Sequence, residues 1–186
     1  MTDFDGIKEN SLDRVISLLS HFPTALDGLL RNLPGDLATR NEGENTWSAT
    51  DVVGHLVYLE RTDWMPRVRI VLEFGDARPF DPVDRSAHLR ESDGRQLVEL
   101  LDRFAELRAR SIAELRALNL QQDDFGRTAR HPALGIVTLS QLLATWTVHD
   151  LTHLHQLTRL LALPFREAVG PWRGYLGVLQ CEGHGS

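Results

Sequence analysis

The 186-residue chain has a single cysteine, Cys181, and a single lysine, Lys8, and none of its apolar runs is long enough to cross a bilayer. One cysteine cannot close an intrachain disulfide, so the framework of small secreted domains is excluded and a reducing, cytoplasmic setting is expected. A membrane span needs roughly 18 uninterrupted apolar residues, and no window reaches that. The opening "MTDFDGIKEN" is acidic and polar where a signal peptide would need a basic start and an apolar stretch. Positive charge is also short: the net charge of -6 argues against nucleic acid as a partner, because phosphate backbones select basic faces. Hydrophobic residues make up 42% of the chain, which supports a substantial core within one domain spanning residues 1–186.

The apolar residues recur at three and four, the helical period, and no segment shows a convincing two-residue alternation, which predicts an all-α chain. A first helix is expected from about Ile7 to Leu30, with Val15, Leu18, Leu19, Leu26, Leu29 and Leu30 inward and Pro23 breaking or kinking it. A polar linker, Asn32 to Asn45, leads to a second helix that opens within "TWSATDVVGHLVYLERTDW", with Ser48 or Thr46 as N-cap and Asp51 in the first turn. An irregular connection follows from Gly75 to Gly94. The third helix, Arg95 to about Leu118, has a leucine-rich stripe and an arginine and glutamate face read as solvated surface. "FGRTARHPALGIVTL" is a long ordered connection, and the fourth helix runs from about Thr138 to Leu163, before Pro164. The tail from Phe165 to Leu179 is expected to pack Trp172, Tyr175 and Leu176 back on the bundle.

Three of the eight histidines lie within "HDLTHLH". His149 and His153 are four apart, about 40° around a helix axis, so both rings project from one side, whereas His155 points elsewhere. That side also carries Leu139, Leu142, Trp146, Gln156 and Leu160, the stripe that faces a bundle interior. A pair at this spacing is often no more than core or surface histidine satisfied by backbone or water. His55 strengthens the case, because it falls on the stripe of Val52, Leu56 and Leu59 in the second helix, and three buried unpaired imidazoles are costly. Ligation of one divalent ion by His55, His149 and His153 satisfies all three and leaves positions open for water or substrate. "HDLTH" differs from the zincin motif, which has a glutamate where Asp150 stands, so a zincin protease is set aside. Asp150 is read as orienting a neighbour or lying at the surface. Asp51, one turn before His55, is a candidate outer-shell carboxylate, although helix N-terminal placement explains it equally well.

"WSATDVVGHL" together with "TLSQLLATWTVHDLTHLHQ" resembles the DinB/YfiT-like superfamily of metal-binding four-helix bundles, over nearly the whole chain. The resemblance implies an up-down-down-up bundle with one long crossover and a short C-terminal extension, a homodimer, and His55, His149 and His153 as metal ligands. It also implies zinc or nickel as the first candidates for the ion, with iron or manganese behind them. Characterised members resemble thiol-dependent S-transferases and isomerases that use a low-molecular-weight thiol such as bacillithiol or mycothiol, and others resemble metal-dependent hydrolases. The shared chemistry would be a metal that lowers the pKa of a bound thiol or water and presents it to an electrophile.

Two functions of different kinds follow: a metal-dependent transferase or hydrolase, and a non-catalytic metal or small-ligand binder, stress-related in role. A structural bundle with an adventitious ion is the third. No catalytic residue and no cofactor-binding residue is assigned beyond the three ligands. Trp146, one turn before His149, and Tyr58, near His55, are candidates to border the metal cavity, although aromatics at helical spacing ordinarily belong to the core. Trp47, Trp64 and Trp172 carry the same ambiguity. Cys181 near the terminus reads as incidental, and His88, His131 and His184 as solvated loop or tail residues. Far-ultraviolet circular dichroism is expected to be dominated by helix; a strand-dominated spectrum would refute the whole reading.

Overall fold

The computed structural model describes residues 9–44, 46–84 and 86–181. Its elements run α1 (Glu9–Leu30), α2 (Gly35–Thr39), α3 (Ala49–Thr62), α4 (Trp64–Glu73), α5 (Ala87–Ser92), α6 (Leu97–Ala117), β1 (Thr128–His131), β2 (Gly135–Thr138) and α7 (Leu139–Ala162), with short 3-10 turns between and after them. The helix starts follow from local chemistry. Ser48 accepts from the Asp51 N–H while Asp51 accepts from the Ser48 N–H, and Thr138 and Gln141 make the same reciprocal pair at α7. Ser48 is thus the N-cap, not Thr46.

Two apolar clusters fix the directions of the four long elements. One gathers Val15 to Leu19 of α1, Leu59 of α3, Ile112 and Leu115 of α6, and Leu139 to Trp146 of α7, together with α4. The other gathers Phe22 to Leu30 of α1, Ala49 to Val57 of α3, Leu100 to Leu107 of α6, and Leu157 and Leu160 of α7. Reading each helix from N to C terminus, α1 and α7 pass from the first cluster to the second, and α3 and α6 pass the other way. The bundle is therefore up-down-down-up, and the two parallel helices α3 and α6 require the long crossover through α4 and α5 that joins them.

Several sequence expectations need correction. The second helix is not continuous: it breaks at Asp63, because Pro66 has no N–H to offer the Thr62 carbonyl. The linkers at 32–45 and 75–94 contain the short helices α2 and α5. "FGRTARHPALGIVTL" holds an antiparallel hairpin, pairing Thr128 with Thr138 and His131 with Gly135. Its strands are four residues each, too short to display alternation, and Gly135 at φ +77 turns the chain. Leu18 is 50% exposed instead of inward, its place in the core taken by Ile16 and Phe22. The tail aromatics do not pack back: Trp172 is 69% and Tyr175 88% exposed, because 3-10 turns punctuated by Pro164 and Pro171 throw them outward. Ile7 lies outside the described residues.

Pro23 does not break α1, and the reason lies on another helix. A proline at 23 leaves the carbonyl of Leu19 without its helical donor. Arg108, from the supposedly solvated face of α6, supplies one: its Nη1 donates to Leu19 O at 3.1 Å. The same guanidinium donates from Nη1 to Asp150 Oδ2 at 2.6 Å and from Nη2 to Glu60 Oε2 at 2.9 Å. Arg108, Glu60 and Asp150 are all buried. One side chain of α6 therefore bonds α1, α3 and α7 at the waist between the two clusters. Burial works against its charge, but the two carboxylates outweigh that and hold its pKa above the ordinary arginine value.

Replacing Arg108 by alanine strands two buried carboxylates, and a loss of about 3–5 kcal/mol is expected in urea unfolding. The triple change Arg108→Met, Glu60→Leu, Asp150→Leu should recover most of it; a single variant no less stable than the parent would show the cluster to be inert. A second expectation concerns the hairpin. His131 Nδ1 accepts from the Ala133 and Leu134 N–H groups, and burial, then the charge of Arg67, depresses its pKa. A base depressed on folding stabilises above its unfolded pKa of about 6.5, and that contribution is lost as pH falls. The parent should accordingly lose more melting temperature than His131→Ala on acidification through that value; equal slopes would refute it.

Candidate metal centre

His55 projects from the middle of α3, and His149 and His153 project from the middle of α7, one turn apart. Their Nε2 atoms converge: His55 to His149 is 3.2 Å and His149 to His153 is 3.1 Å. All three ligand atoms lie within 4.8 Å of one another, so they form a donor set able to hold one divalent ion. His153 is buried and the other two are half-buried, so the cluster lies at the edge of the core and opens to one side.

The surroundings set the tautomer of one ring. His153 Nδ1–H donates to Gln156 Oε1 at 2.8 Å, which leaves a lone pair on Nε2. His149 Nδ1 is buried with no hydrogen-bond partner. When all three rings present Nε2 lone pairs they repel one another at this distance, and at most one N–H···N bond relieves a given pair. A cation among them removes the conflict, so the donor set fits a metal.

Aromatic side chains wall the cluster. Trp47, from the linker before α3, lies over both His55 and His153, with ring centroids at 4.8 and 6.1 Å. Trp64, the first residue of α4, meets His149 edge-on at 5.1 Å, and Trp146 stacks on the far side of Trp64. Trp64 and Trp47 therefore border the site, while Trp146 is fully buried behind them. Tyr58 packs against the apolar cluster of α1 and α4.

Other sequence candidates fall elsewhere. Asp51 caps its own helix, with Oδ2 accepting from Ser48 N and Oγ at 2.9 and 2.6 Å. Asp150 is neither at the surface nor beside a ligand ring, being committed to Arg108. His155 is on another face of α7, Cys181 is exposed with its thiol donating to Gly177 O at 3.3 Å, and His131 sits in β1. His184 and the side chain of His88 lie outside the described residues. The sequence reading missed Glu60, Asp63 and Arg108. Asp63 sits at the α3–α4 break, paired with Arg67 at 2.9 Å; burial raises its pKa, and the neighbouring charges of Arg67 and His149 oppose that. The signal available was the interruption of an apolar stripe by a charge, which one sequence shows at Arg108 but gives no way to distinguish from surface.

A four-helix bundle with a histidine from one central helix and a pair from another defines a class, and the comparisons specify it. The profile of the DinB superfamily matches residues 18–157, and the chain belongs to that superfamily. Among solved structures, YfiT from Bacillus subtilis is similar in fold, with a TM-score of 0.73 and 24% identity over 86% of this chain and 91% of that one. YfiT is described as "a probable metal-dependent hydrolase with an unusual four-helix bundle topology". No curated protein matches the chain.

Proposed function

We propose that the protein binds one divalent cation through Nε2 of His55, His149 and His153, and that it is a metal-dependent enzyme of the hydrolase or thiol-transferase type. The observation that carries the reading is the convergence of three imidazole nitrogens at 3.1 and 3.2 Å. Tetrahedral ligands at the 2.0–2.1 Å of a zinc–nitrogen bond stand roughly 3.3 Å apart, so two of the three separations already approach those of ligands to one ion. Zinc and nickel suit an all-imidazole set best, with iron and manganese behind them. Three protein ligands leave positions open, and the half-exposure of His55 and His149 gives a small molecule access.

When bound, the ion would supply Lewis acidity and would lower the pKa of a coordinated water or thiol. The chain's own residues do the rest. Gln156 holds His153 in the ligating tautomer. Trp47 and Trp64 keep water from two sides of the cluster. The description of YfiT favours water as the nucleophile; the family resemblance adds a low-molecular-weight thiol as the alternative. A non-catalytic metal or ligand binder uses the same three histidines, and turnover of an ester or thiol-acceptor panel by the loaded protein, abolished in His149→Ala, separates the two.

Each of His55→Ala, His149→Ala and His153→Ala is expected to lower metal content measured by elemental analysis of untagged protein, whereas His155→Ala should not. Added zinc or nickel should raise the melting temperature of the parent by preferential binding to the folded state, and should not raise that of the triple variant. Loss of metal in His155→Ala with retention in His153→Ala would overturn the ligand assignment.

A further inference from the structure

Beyond the histidines, the C-terminal turns of α7 and the segment that follows line a cavity of about 370 Å³. Its wall carries three arginines, Arg159, Arg166 and Arg173, against one carboxylate, Glu42. Their pairing is incomplete. Arg159 is nine-tenths buried and donates through Nη2 to Glu42, but its buried Nε has no hydrogen-bond partner. Among the described residues Arg173 pairs with Glu167 alone, at 3.7 Å, and that carboxylate is 89% exposed. Arg166 makes no ion pair among the described residues. Among the described residues, the lining therefore holds more positive charge than their carboxylates neutralise, around a space at the lower end of the roughly 300–1,000 Å³ typical of small-molecule sites.

We propose that this cavity binds a small organic anion, a carboxylate or a phosphate ester, with Arg166 and Arg173 as its principal partners and Arg159 behind them. A guanidinium presents paired donors that match the oxygens of either group, and a partly enclosed setting strengthens such charge-assisted bonds. The protein is acidic overall, so a local excess of arginine is not a by-product of general basicity. Glu42 competes for the same charge: it occupies Arg159, so its removal would release a third guanidinium to the ligand. The site is separate from the histidine cluster, since Arg159 stands six residues beyond His153, about 9 Å along the helix axis. The proposal does not depend on metal binding.

The test is isothermal titration of the full chain with inorganic phosphate, succinate and citrate. Saturable binding of at least one probe is expected, and the preference between phosphate and the carboxylates identifies which anion the site is built for. The double variant Arg166→Gln, Arg173→Gln should weaken binding roughly tenfold or more, while Glu42→Gln should tighten it. Both arginines are at least partly exposed, and an unchanged melting temperature and metal content would show that the variant folds and keeps the histidine cluster. No saturable binding of any probe would overturn the proposal, as would equal affinity in the double variant. Loss of binding in His149→Ala, with the arginine variants unaffected, would place the anion at the histidines and refute it as well.

Discussion

A single guanidinium ties the bundle together. Arg108 is buried among Phe22, Phe104 and Trp146, and it donates to a carbonyl of α1 and to carboxylates of α3 and α7. Each of those partners would be costly alone in that environment: a carbonyl without its helical donor, and two carboxylates out of water. Because the buried cation they share comes from α6, the helices cannot slide or rotate past one another without stranding a charge. Buried ion clusters are often no more stabilising than apolar residues of the same volume, so the benefit of this one is register.

Register matters because of what lies next to the cluster. Asp150 immediately follows His149, and Glu60 is five residues after His55. Arg108 thereby holds α3 and α7 at the level where the three imidazoles face one another. A shift of one residue on α7 would rotate His149 by about 100° and remove it from the set. The break at Asp63 belongs to the same construction, since it lets Trp64 turn in at the start of α4 and close one side of the cluster. The opposite side is closed by Trp47, which the capping box at Ser48 positions where the linker enters α3.

The resulting site is asymmetric. Its buried flank is apolar and aromatic, the tautomer of one ring is set by Gln156, and its open flank is formed by His55 and His149. Further along α7 the chemistry changes to arginine, with Glu42 from the same linker as Trp47 holding one of the guanidinium groups. The 42–47 stretch therefore touches both regions, and its local turn is closed by Thr46 bonding Gly43 O and the Glu42 N–H.

The sequence alone determined what depends on local pattern. The 3.6-residue period specified four long helices, and the caps at Ser48 and Thr138 follow from their own neighbours. The spacing of four put His149 and His153 on one face, and the stripe of Val52, Leu56 and Leu59 turned His55 inward. Tertiary structure decided what depends on partners distant in the chain. Arg108 has the sequence context of a surface residue, and only the approach of α3 and α7 makes it a buried ion. Pro23 reads as a helix breaker until another helix supplies the missing donor. The hairpin is too short to alternate, and the tail aromatics read as core although the 3-10 turns after α7 carry them outward. Local chemistry chooses an element and its inward face; which polar groups are satisfied inside is fixed only when the elements meet.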